Sequence, residues 1–109
     1  MNEIEELAEI FKALSDPTRL KLVQLLSEQP RGECEGACNG TGFLCVNALA
    51  HKLGVSQSAV SQHLRVLRQA GLVRGERQGA FVHYSLDQEG LDTYRAALRE
   101  ALGEGFAPG

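Results

Sequence analysis

Apolar residues recur with helical spacing near both ends of this 109-residue chain. Such residues share one face of a helix, so each stripe predicts an amphipathic helix that buries this face. Asn2 and Asp87 precede the two stripes as candidate N-cap residues. The N-terminal stripe consists of Ile4, Leu7, Ile10, Phe11 and Leu14, and the C-terminal stripe consists of Leu91, Tyr94, Leu98 and Leu102.

A second helix is predicted directly after the first. Asp16 is placed as its N-cap and Pro17 as its first residue, where the missing N–H of proline costs nothing. Pro30 ends it. Its inward-facing residues are predicted to be Leu20, Val23 and Leu26.

Two shorter helices follow in the middle of the chain. The segment "VNALAHKL" ends at Gly54, and the segment "QSAVSQHLRVLRQA" follows Ser56 as N-cap and ends at Gly71. Two helices joined by a tight turn are typical of a helix-turn-helix. We expect His63, on the apolar side of the second of these helices, to be packed and hydrogen-bonded rather than a metal ligand.

Two strands are predicted after the helix-turn-helix, around a turn at Gln78 and Gly79. In the second strand Val82, Tyr84 and Leu86 are expected to face inward, which places His83 outward and exposed. The full order is helix, helix, helix-turn-helix, β-hairpin, helix. This order predicts a mainly α winged helix-turn-helix domain over 1–109, with an inserted loop at 29–45 and a disordered tail at 103–109.

The outer face of "QSAVSQHLRVLRQA" is polar and basic. Ser58, Ser61, Gln62 and Arg65 follow at spacings that share one helical face, and this helix contains no acidic residue. Solvated helix faces commonly carry paired acidic and basic residues, whereas these side chains suit base edges and phosphates. We therefore predict a DNA-binding face, with Arg74 and Arg77 of the hairpin reaching phosphates or the minor groove.

Charge supports this prediction only through its distribution. The whole chain carries a net charge of −3, but Ala50 to Leu86 contains five basic residues and one acidic residue. This segment is therefore +4 and the remainder is −7. Because phosphate binding depends on the local field, a basic centre between acidic ends is compatible with double-stranded DNA as a partner.

Composition narrows the class of protein. The apolar fraction of 43% is typical of a globular domain, and no apolar run is long enough to span a bilayer. The acidic, amphipathic N-terminus argues against a secretory signal, so we expect a cytoplasmic protein without membrane contact. A domain of this size leaves no room for a substrate cleft, and no base is evident for a cysteine nucleophile, so we do not expect an enzyme.

All three cysteines of the chain, Cys34, Cys38 and Cys45, lie in one glycine-rich connection. Its glycines allow the sulfurs to fold around one soft ion, and the position of Cys45 at a helix N-terminus favours its thiolate. An odd number of thiols fits a disulfide framework poorly. Three thiolates predict an ion that prefers three-coordinate sulfur. Alternatives are zinc with His51 or Glu33 as fourth ligand, cadmium or lead, an iron–sulfur cluster, a redox pair, or inert thiols.

Three segments of the chain resemble the ArsR/SmtB family of bacterial metal-sensing repressors: "LSDPTRLKLVQLL", "VNALAHKLGVSQSAVSQHLRVLRQAGLV" and "RQGAFVHYSL". The resemblance implies a homodimeric repressor that leaves its operator when an inducer binds. It places the DNA-facing positions at Gln57, Ser58, Ser61, Gln62 and Arg65. The implied dimer interface lies on the terminal helices and includes Ile4, Leu7, Phe11, Leu91, Tyr94 and Leu98.

The resemblance also bears on the inducer. The family uses a Cys-Val-Cys motif for which this chain has Cys45 and Asn47, so we expect Cys34 and Cys38 to replace the missing thiol. The implied inducer is As(III) or Sb(III), with Cd(II), Pb(II) or Zn(II) as alternatives and a redox or reactive-sulfur response as a further one. No histidine follows His83, which disfavours the family's site on the last helix. Ala80 stands where many relatives have a basic wing residue.

Overall fold

A computed structural model describes residues 2–28 and 44–103 of the chain. Residues 29–43 of the loop predicted at 29–45, with Cys34 and Cys38, and residues 104–109 of the tail predicted at 103–109 lie outside the described residues. The last two residues of the predicted loop, Leu44 and Cys45, form a short strand. The elements follow the predicted order: α1 (Glu3–Leu14), α2 (Pro17–Glu28), β1 (Leu44–Cys45), α3 (Val46–Leu53), α4 (Gln57–Gln69), β2 (Val73–Gln78), β3 (Phe81–Leu86) and α5 (Gln88–Leu102). Strand β1 is the one element that the sequence pattern did not predict.

The predicted helix caps are confirmed. Asn2 Oδ1 accepts a hydrogen bond from the Glu5 amide at 2.8 Å, and Ser56 Oγ accepts one from the Ala59 amide at 3.1 Å. Asp87 caps α5 in the same way, and Gly54 ends α3 in the left-handed conformation at φ 68°. Each cap satisfies a backbone group that the helix leaves without an intrahelical partner. The sequence therefore marks the helix starts correctly.

The three strands form an antiparallel sheet in the order β1-β3-β2. Strand β3 is central, and its residue His83 pairs with Cys45 of β1 on one side and with Glu76 of β2 on the other. The hairpin turn consists of Gly79 and Ala80, one residue later than predicted, with Gly79 at φ 64°. Glycine adopts this left-handed conformation without steric cost.

The prediction that His83 is exposed was wrong. Its side chain is 1% exposed, while Val82, Tyr84 and Leu86 are half-buried. The alternating pattern identifies two faces of a strand but does not say which is covered when helices and a further strand pack around it. Here β1, together with α2 and α3, lies against β3. His83 is therefore the most deeply buried described side chain of its strand.

The core of the domain is built mainly from leucines of α2, α3 and α4. Leu22, Leu49, Val60 and Leu67 are fully buried, and Cys45 joins the same cluster. The predicted inward position of Leu20 was wrong, because this side chain is 51% exposed. In α2 the buried pair is Leu22 and Leu26, four residues apart on one face.

Helix α5 docks closely on the end of α4. The Asp87 amide donates a hydrogen bond to the Leu72 carbonyl at 2.9 Å, which holds the start of α5 against the turn after α4. A β-carbon on Gly90 would overlap the carbonyl oxygen of Gly71. Only glycine permits this approach, so Gly90 sets the distance between α5 and the helix-turn-helix.

The predicted dimer-interface residues divide into two groups. Leu7 and Tyr94 are buried within the single chain, and Leu91 and Leu98 are half-buried. By contrast, Ile4 is 64% and Phe11 is 53% exposed, so α1 carries large apolar side chains that its own chain does not cover. Exposed apolar side chains of this size are typical of surfaces that bind another molecule.

Candidate DNA-binding face and ion site

Helix α4 separates a buried face from an exposed polar face. Val60, Leu64 and Leu67 are buried. The predicted DNA-facing residues are all exposed on the other side of the helix: Gln57, Ser58, Ser61, Gln62 and Arg65. Since α4 has no acidic residue, nothing on the helix itself neutralises Arg65 and Arg68. The face therefore offers hydrogen-bonding groups with a positive potential, as contacts to DNA require.

The inner side of α4 is anchored to the start of α2 by polar contacts. Arg19 Nη1 lies 3.2 Å from His63 Nδ1, and Arg19 Nε donates to the Ala13 carbonyl at 2.6 Å. His63 Nε2 lies 3.9 Å from Asp16 Oδ2. A guanidinium only donates, so Nδ1 is the acceptor of this contact when the ring is neutral. The prediction that His63 is packed and hydrogen-bonded is confirmed.

Asp16 both caps α2 and lies beside His63 of α4. Its Oδ2 accepts hydrogen bonds from the Thr18 amide at 2.9 Å and the Arg19 amide at 3.1 Å, which caps α2 as predicted. The hydrogen bond from the Arg19 amide holds the pKa of Asp16 below its ordinary value, with His63 adding to the effect and partial burial opposing it. The carboxylate is therefore charged at neutral pH.

Asn47 connects the first helix of the helix-turn-helix to the second. Gln57 Nε2 donates a hydrogen bond to Asn47 Oδ1 at 2.9 Å. Asn47 lies in the first turn of α3, and Gln57 is the first residue of α4. Asn47 therefore orients a predicted DNA-facing side chain, a role that its sequence position did not indicate.

The two hairpin arginines lie on opposite faces of the wing. Both are exposed, but Arg74 pairs with Ser85 and Arg77 pairs with Val82. Successive residues of a strand alternate between faces, so a spacing of three separates the two guanidinium groups. Arg74 shares the face of His83, while Arg77 shares the face of Tyr84. The two arginines therefore do not form one phosphate clamp.

Cys45 lies at the junction between the sheet and the helix-turn-helix. It is the last residue of β1 and the N-cap of α3, and its side chain is 2% exposed. Its strand partner is His83, so the two side chains project from the same face of the sheet. Cys45 and His83 are separated by 38 positions in sequence, and both are buried.

The position of His83 beside Cys45 is what the sequence interpretation missed. Its residue type was a signal, but nothing in the sequence predicted β1, and without β1 no partner for His83 was evident. His51, which was considered as a fourth ligand, is exposed on α3. Within residues 2–28 and 44–103, no three Cys, His, Asp or Glu side chains are grouped closely enough to hold a metal ion.

A cavity of about 610 Å³ lies between α1, the end of α4 and α5. Tyr94 lines it, and its buried hydroxyl has no hydrogen-bond partner among the described residues. Burial, with a smaller contribution from Glu6, raises the pKa of Tyr94 to about 12. The hydroxyl is therefore a neutral donor on the side of the domain that carries the exposed residues of α1.

Comparison with known proteins agrees with this architecture. Residues 40–74 match the sequence profile described as bacterial regulatory protein, arsR family. An HTH-type transcriptional regulator of Bacillus subtilis, YbzH, is 40% identical over 85 residues, which are 76% of this chain and 85% of that protein. The chain belongs to the ArsR family of bacterial regulatory proteins. It is accordingly a transcriptional regulator with a winged helix-turn-helix.

Other relatives of this ArsR-family chain carry names that include an inducer. The arsenical resistance operon repressor of Escherichia coli is 42% identical over 78 residues, which are 72% of this chain and 56% of that protein. The cadmium resistance regulatory protein CadC homolog of Staphylococcus aureus is 37% identical over 84 residues, 77% of this chain and 60% of that protein. The chain therefore spans little more than half the length of these two relatives.

Solved structures share the fold of this ArsR-family chain. A possible transcriptional regulator for arsenical resistance superposes with a TM-score of 0.64 and 40% identity, covering 83% of this chain and 80% of that one. A homodimeric winged helix-turn-helix DNA-binding domain from Mycobacterium bovis gives a TM-score of 0.65 and 25% identity, covering 91% and 78%. Among the described helices, none has the length and hydropathy to cross a membrane.

Proposed function

We propose that this ArsR-family protein is a homodimeric repressor that leaves its operator when a thiophilic ion binds Cys34, Cys38 and Cys45. The proposed inducer is As(III) or Sb(III), for which three thiolates form a complete ligand set; Cd(II), Pb(II) and Zn(II) are the alternatives. The operator is double-stranded DNA, bound by the exposed face of α4 and by Arg74 or Arg77 of the wing. The observation that carries the proposal is the position of Cys45 as the N-cap of α3.

The DNA-binding half of the proposal is supported by the separation of faces on α4. Its buried leucines fix the helix to the core, and the anchor of His63, Arg19 and Asp16 fixes its inner side to α2. The exposed residues are thereby presented in one orientation. A helix held in place before binding does not have to be ordered when it contacts DNA, which lowers the entropic cost of binding.

The proposed response to an ion is supported by the position of Cys45 between the sheet and α3. It ends β1, begins α3 and is paired to the wing strand β3. An ion that pulls Cys45 toward thiols of the inserted loop acts on the first turn of α3. Asn47 lies in this first turn and accepts a hydrogen bond from Gln57, the first residue of α4. Ion and operator then exclude each other by the free energy that couples the two sites.

The dimer is supported by the exposed apolar residues of α1. Ile4 and Phe11 lie uncovered on the helix that the family resemblance assigns to the interface. We expect the protein to have the mass of a dimer by light scattering at micromolar concentration. A monomer mass under these conditions contradicts this part of the proposal.

One titration tests the regulatory proposal. The binding of a labelled operator is followed by fluorescence anisotropy while arsenite, antimonite, Cd(II), Pb(II), Zn(II) or peroxide is added. We expect arsenite or antimonite to release native protein. Each of the variants Cys34→Ser, Cys38→Ser and Cys45→Ser is expected to bind operator normally and to resist release.

The other outcomes of this titration separate the alternatives. If only peroxide releases the protein from DNA, the signal is oxidation of the same cysteines and not the binding of an ion. If only a divalent ion releases the protein from DNA, the inducer is Cd(II), Pb(II) or Zn(II) rather than As(III) or Sb(III). Failure of native protein to bind any operator contradicts the DNA-binding proposal itself.

A further inference from the structure

The cavity between α1, the end of α4 and α5 is large enough for a small organic molecule. Its volume of about 610 Å³ lies within the roughly 300–1,000 Å³ that is typical of ligand pockets. Its apolar lining includes Leu7, Ile10, Val66 and Ala97. All of the lining residues lie in the part of the chain that the structure describes, and none of them is a cysteine.

The hydroxyl of Tyr94 is a polar group in this apolar wall. The side chain is 8% exposed, and the hydroxyl oxygen has no hydrogen-bond partner among the described residues. Tyr94 lines the cavity, and so does Glu6, the charged group that acts on the phenol. The hydroxyl end of the ring therefore faces the cavity. A buried hydroxyl without a partner costs free energy, which a hydrogen bond to a ligand recovers.

The charged side chains around the cavity favour an uncharged ligand. Lys12 Nζ lies 3.8 Å from Glu9 Oε1, so these two charges balance each other. Arg19 already donates to a backbone carbonyl and lies against the ring of His63. Glu6 repels an anion, and because it is exposed, water screens its attraction for a cation. Burying either charge against the apolar wall is costly.

We propose that this cavity binds an uncharged organic molecule that combines an apolar body of one or two rings with a hydrogen-bond acceptor such as a carbonyl oxygen. The apolar body packs on the inner wall, and the acceptor receives a hydrogen bond from the Tyr94 hydroxyl. Burial, with a smaller contribution from Glu6, raises the pKa of Tyr94 to about 12, so the hydroxyl keeps its proton and donates. The site adds a second ligand to the proposed function and is independent of the thiols.

The cavity and the exposed apolar residues of α1 lie on different sides of that helix. At 3.6 residues per turn, successive residues are rotated by about 100°. Ile4 and Phe11 therefore share one side of α1, where both are exposed. Glu6 and Ala13, which line the cavity, lie on a side turned away by about 160°. A second subunit that covers Ile4 and Phe11 therefore does not have to enter the cavity.

The test uses 6-propionyl-2-dimethylaminonaphthalene, an uncharged fluorophore with two rings and one carbonyl group. Its emission responds to an apolar environment and to a hydrogen bond at the carbonyl oxygen. We expect saturable binding in the micromolar range, with one molecule per chain. The anionic fluorophore 1-anilinonaphthalene-8-sulfonate is expected to bind at least about tenfold more weakly, because its charge has to be desolvated. Equal affinity for the two fluorophores contradicts the preference for an uncharged ligand.

Tyr94→Phe tests the hydrogen bond, because it keeps the ring and removes the hydroxyl. We expect this variant to bind the carbonyl probe about threefold to tenfold more weakly, which is the range typical of one neutral hydrogen bond. The compound 2-dimethylaminonaphthalene lacks the carbonyl group and is expected to bind native protein and Tyr94→Phe equally. An equal effect of the substitution on both compounds means that the hydroxyl is not the donor.

Ala97→Leu and Ala96→Leu are a matched pair on α5. Ala97 is half-buried and lines the cavity, whereas its neighbour Ala96 is exposed and does not. Ala97→Leu is expected to weaken binding of the carbonyl probe at least about tenfold, because leucine occupies space that the ligand needs. Ala96→Leu and Cys45→Ser are expected to bind it as native protein does. Circular dichroism and thermal melting establish that each variant is folded.

Amide spectra of ¹⁵N-labelled native protein remove the dependence on variants. The carbonyl probe is expected to shift the signals of residues 6–13 of α1 and 90–97 of α5 most strongly. Shifts centred on Ile4 and Phe11 instead overturn the proposal, as does the absence of saturable binding or native affinity in a folded Ala97→Leu. These results leave operator binding and ion-dependent release unchanged, so the two proposals fail separately.

Discussion

The two chemical regions of this protein are assembled in opposite ways. The predicted DNA-binding face consists of exposed side chains from one continuous stretch of α4, Gln57 to Arg65. Cys45, a predicted ion ligand, and its strand partner His83 are by contrast distant in sequence, buried and paired across two strands. The face of one helix depends on local periodicity, whereas a buried pair across two strands depends on how distant segments pack together.

The contrast has a consequence for mutations. A change on the exposed face removes contacts with DNA and leaves the fold intact. A change of side-chain volume at the junction of β1, α3 and β3, unlike the nearly isosteric Cys45→Ser, is expected to disturb packing and the position of α3 and α4 together. The following variants test this separation, from the largest expected effect to the smallest.

Leu64→Ala tests the buried side of α4. Leu64 is 1% exposed, so truncation leaves a cavity and is expected to lower the free energy of unfolding by about 2–5 kcal/mol. Ser61→Ala, on the exposed side of the same helix, is expected to change it by less than about 0.5 kcal/mol. Urea denaturation at one fixed protein concentration measures both values. Equal losses would show that α4 does not separate two faces.

Arg65→Ala tests the exposed side. We expect operator affinity to fall by about 1–3 kcal/mol if the guanidinium contacts a base edge, with unchanged stability. If it contacts phosphate instead, the slope of log affinity against log salt falls by about one. Lys21→Ala removes an equal charge from the exposed surface of α2 and is the control. Equal losses of operator affinity for both variants would mean that Arg65 contributes only its charge and makes no specific contact with DNA.

Asp16→Asn tests the anchor behind α4. Because the folded-state pKa of Asp16 is lowered, its ionised form stabilises the protein above the ordinary pKa of 3.8, and this contribution disappears as the pH falls through the lowered value. The difference in stability between native protein and the variant is therefore expected to be constant above about pH 5 and to shrink at lower pH. Thermal melts from pH 2.5 to 7 follow it. A difference that grows on acidification contradicts the assignment.

Asn47→Ala tests the link between the two regions. Loss of the exposed hydrogen bond to Gln57 is expected to lower operator affinity by about 0.5–1 kcal/mol, as is typical of a single neutral hydrogen bond. A double-mutant cycle with Gln57→Ala isolates the interaction, and anisotropy measures each variant. Additive effects of the two substitutions would mean that Asn47 does not orient Gln57.

Much of the fold was predictable because its signals are local. Asn2, Ser56 and Asp87 each precede a helix, and their caps depend only on residues within the next turn. The polar face of α4 depends on helical periodicity alone. Both interpretations use short-range geometry that one segment carries within itself, so the structure agrees with them.

Two errors have one cause. His83 was predicted to be exposed and Leu20 to be buried, and both follow from assigning a face without knowing what packs on it. The period of a strand or helix defines its faces, but their coverage depends on distant segments. In α2 the apolar residues are spread around the helix, so its pattern favours no single orientation.

The sequence by itself determined the helices, their caps, the basic centre of an acidic chain and the polar surface of α4, because each depends on neighbouring residues. It also identified Cys34, Cys38 and Cys45 as candidate ligands. Only the tertiary structure decided that Cys45 ends a strand, that this strand pairs with β3, and that His83 lies opposite the thiol in the core. Strand pairing joins segments of any separation, and its choice depends on the packing of the whole domain.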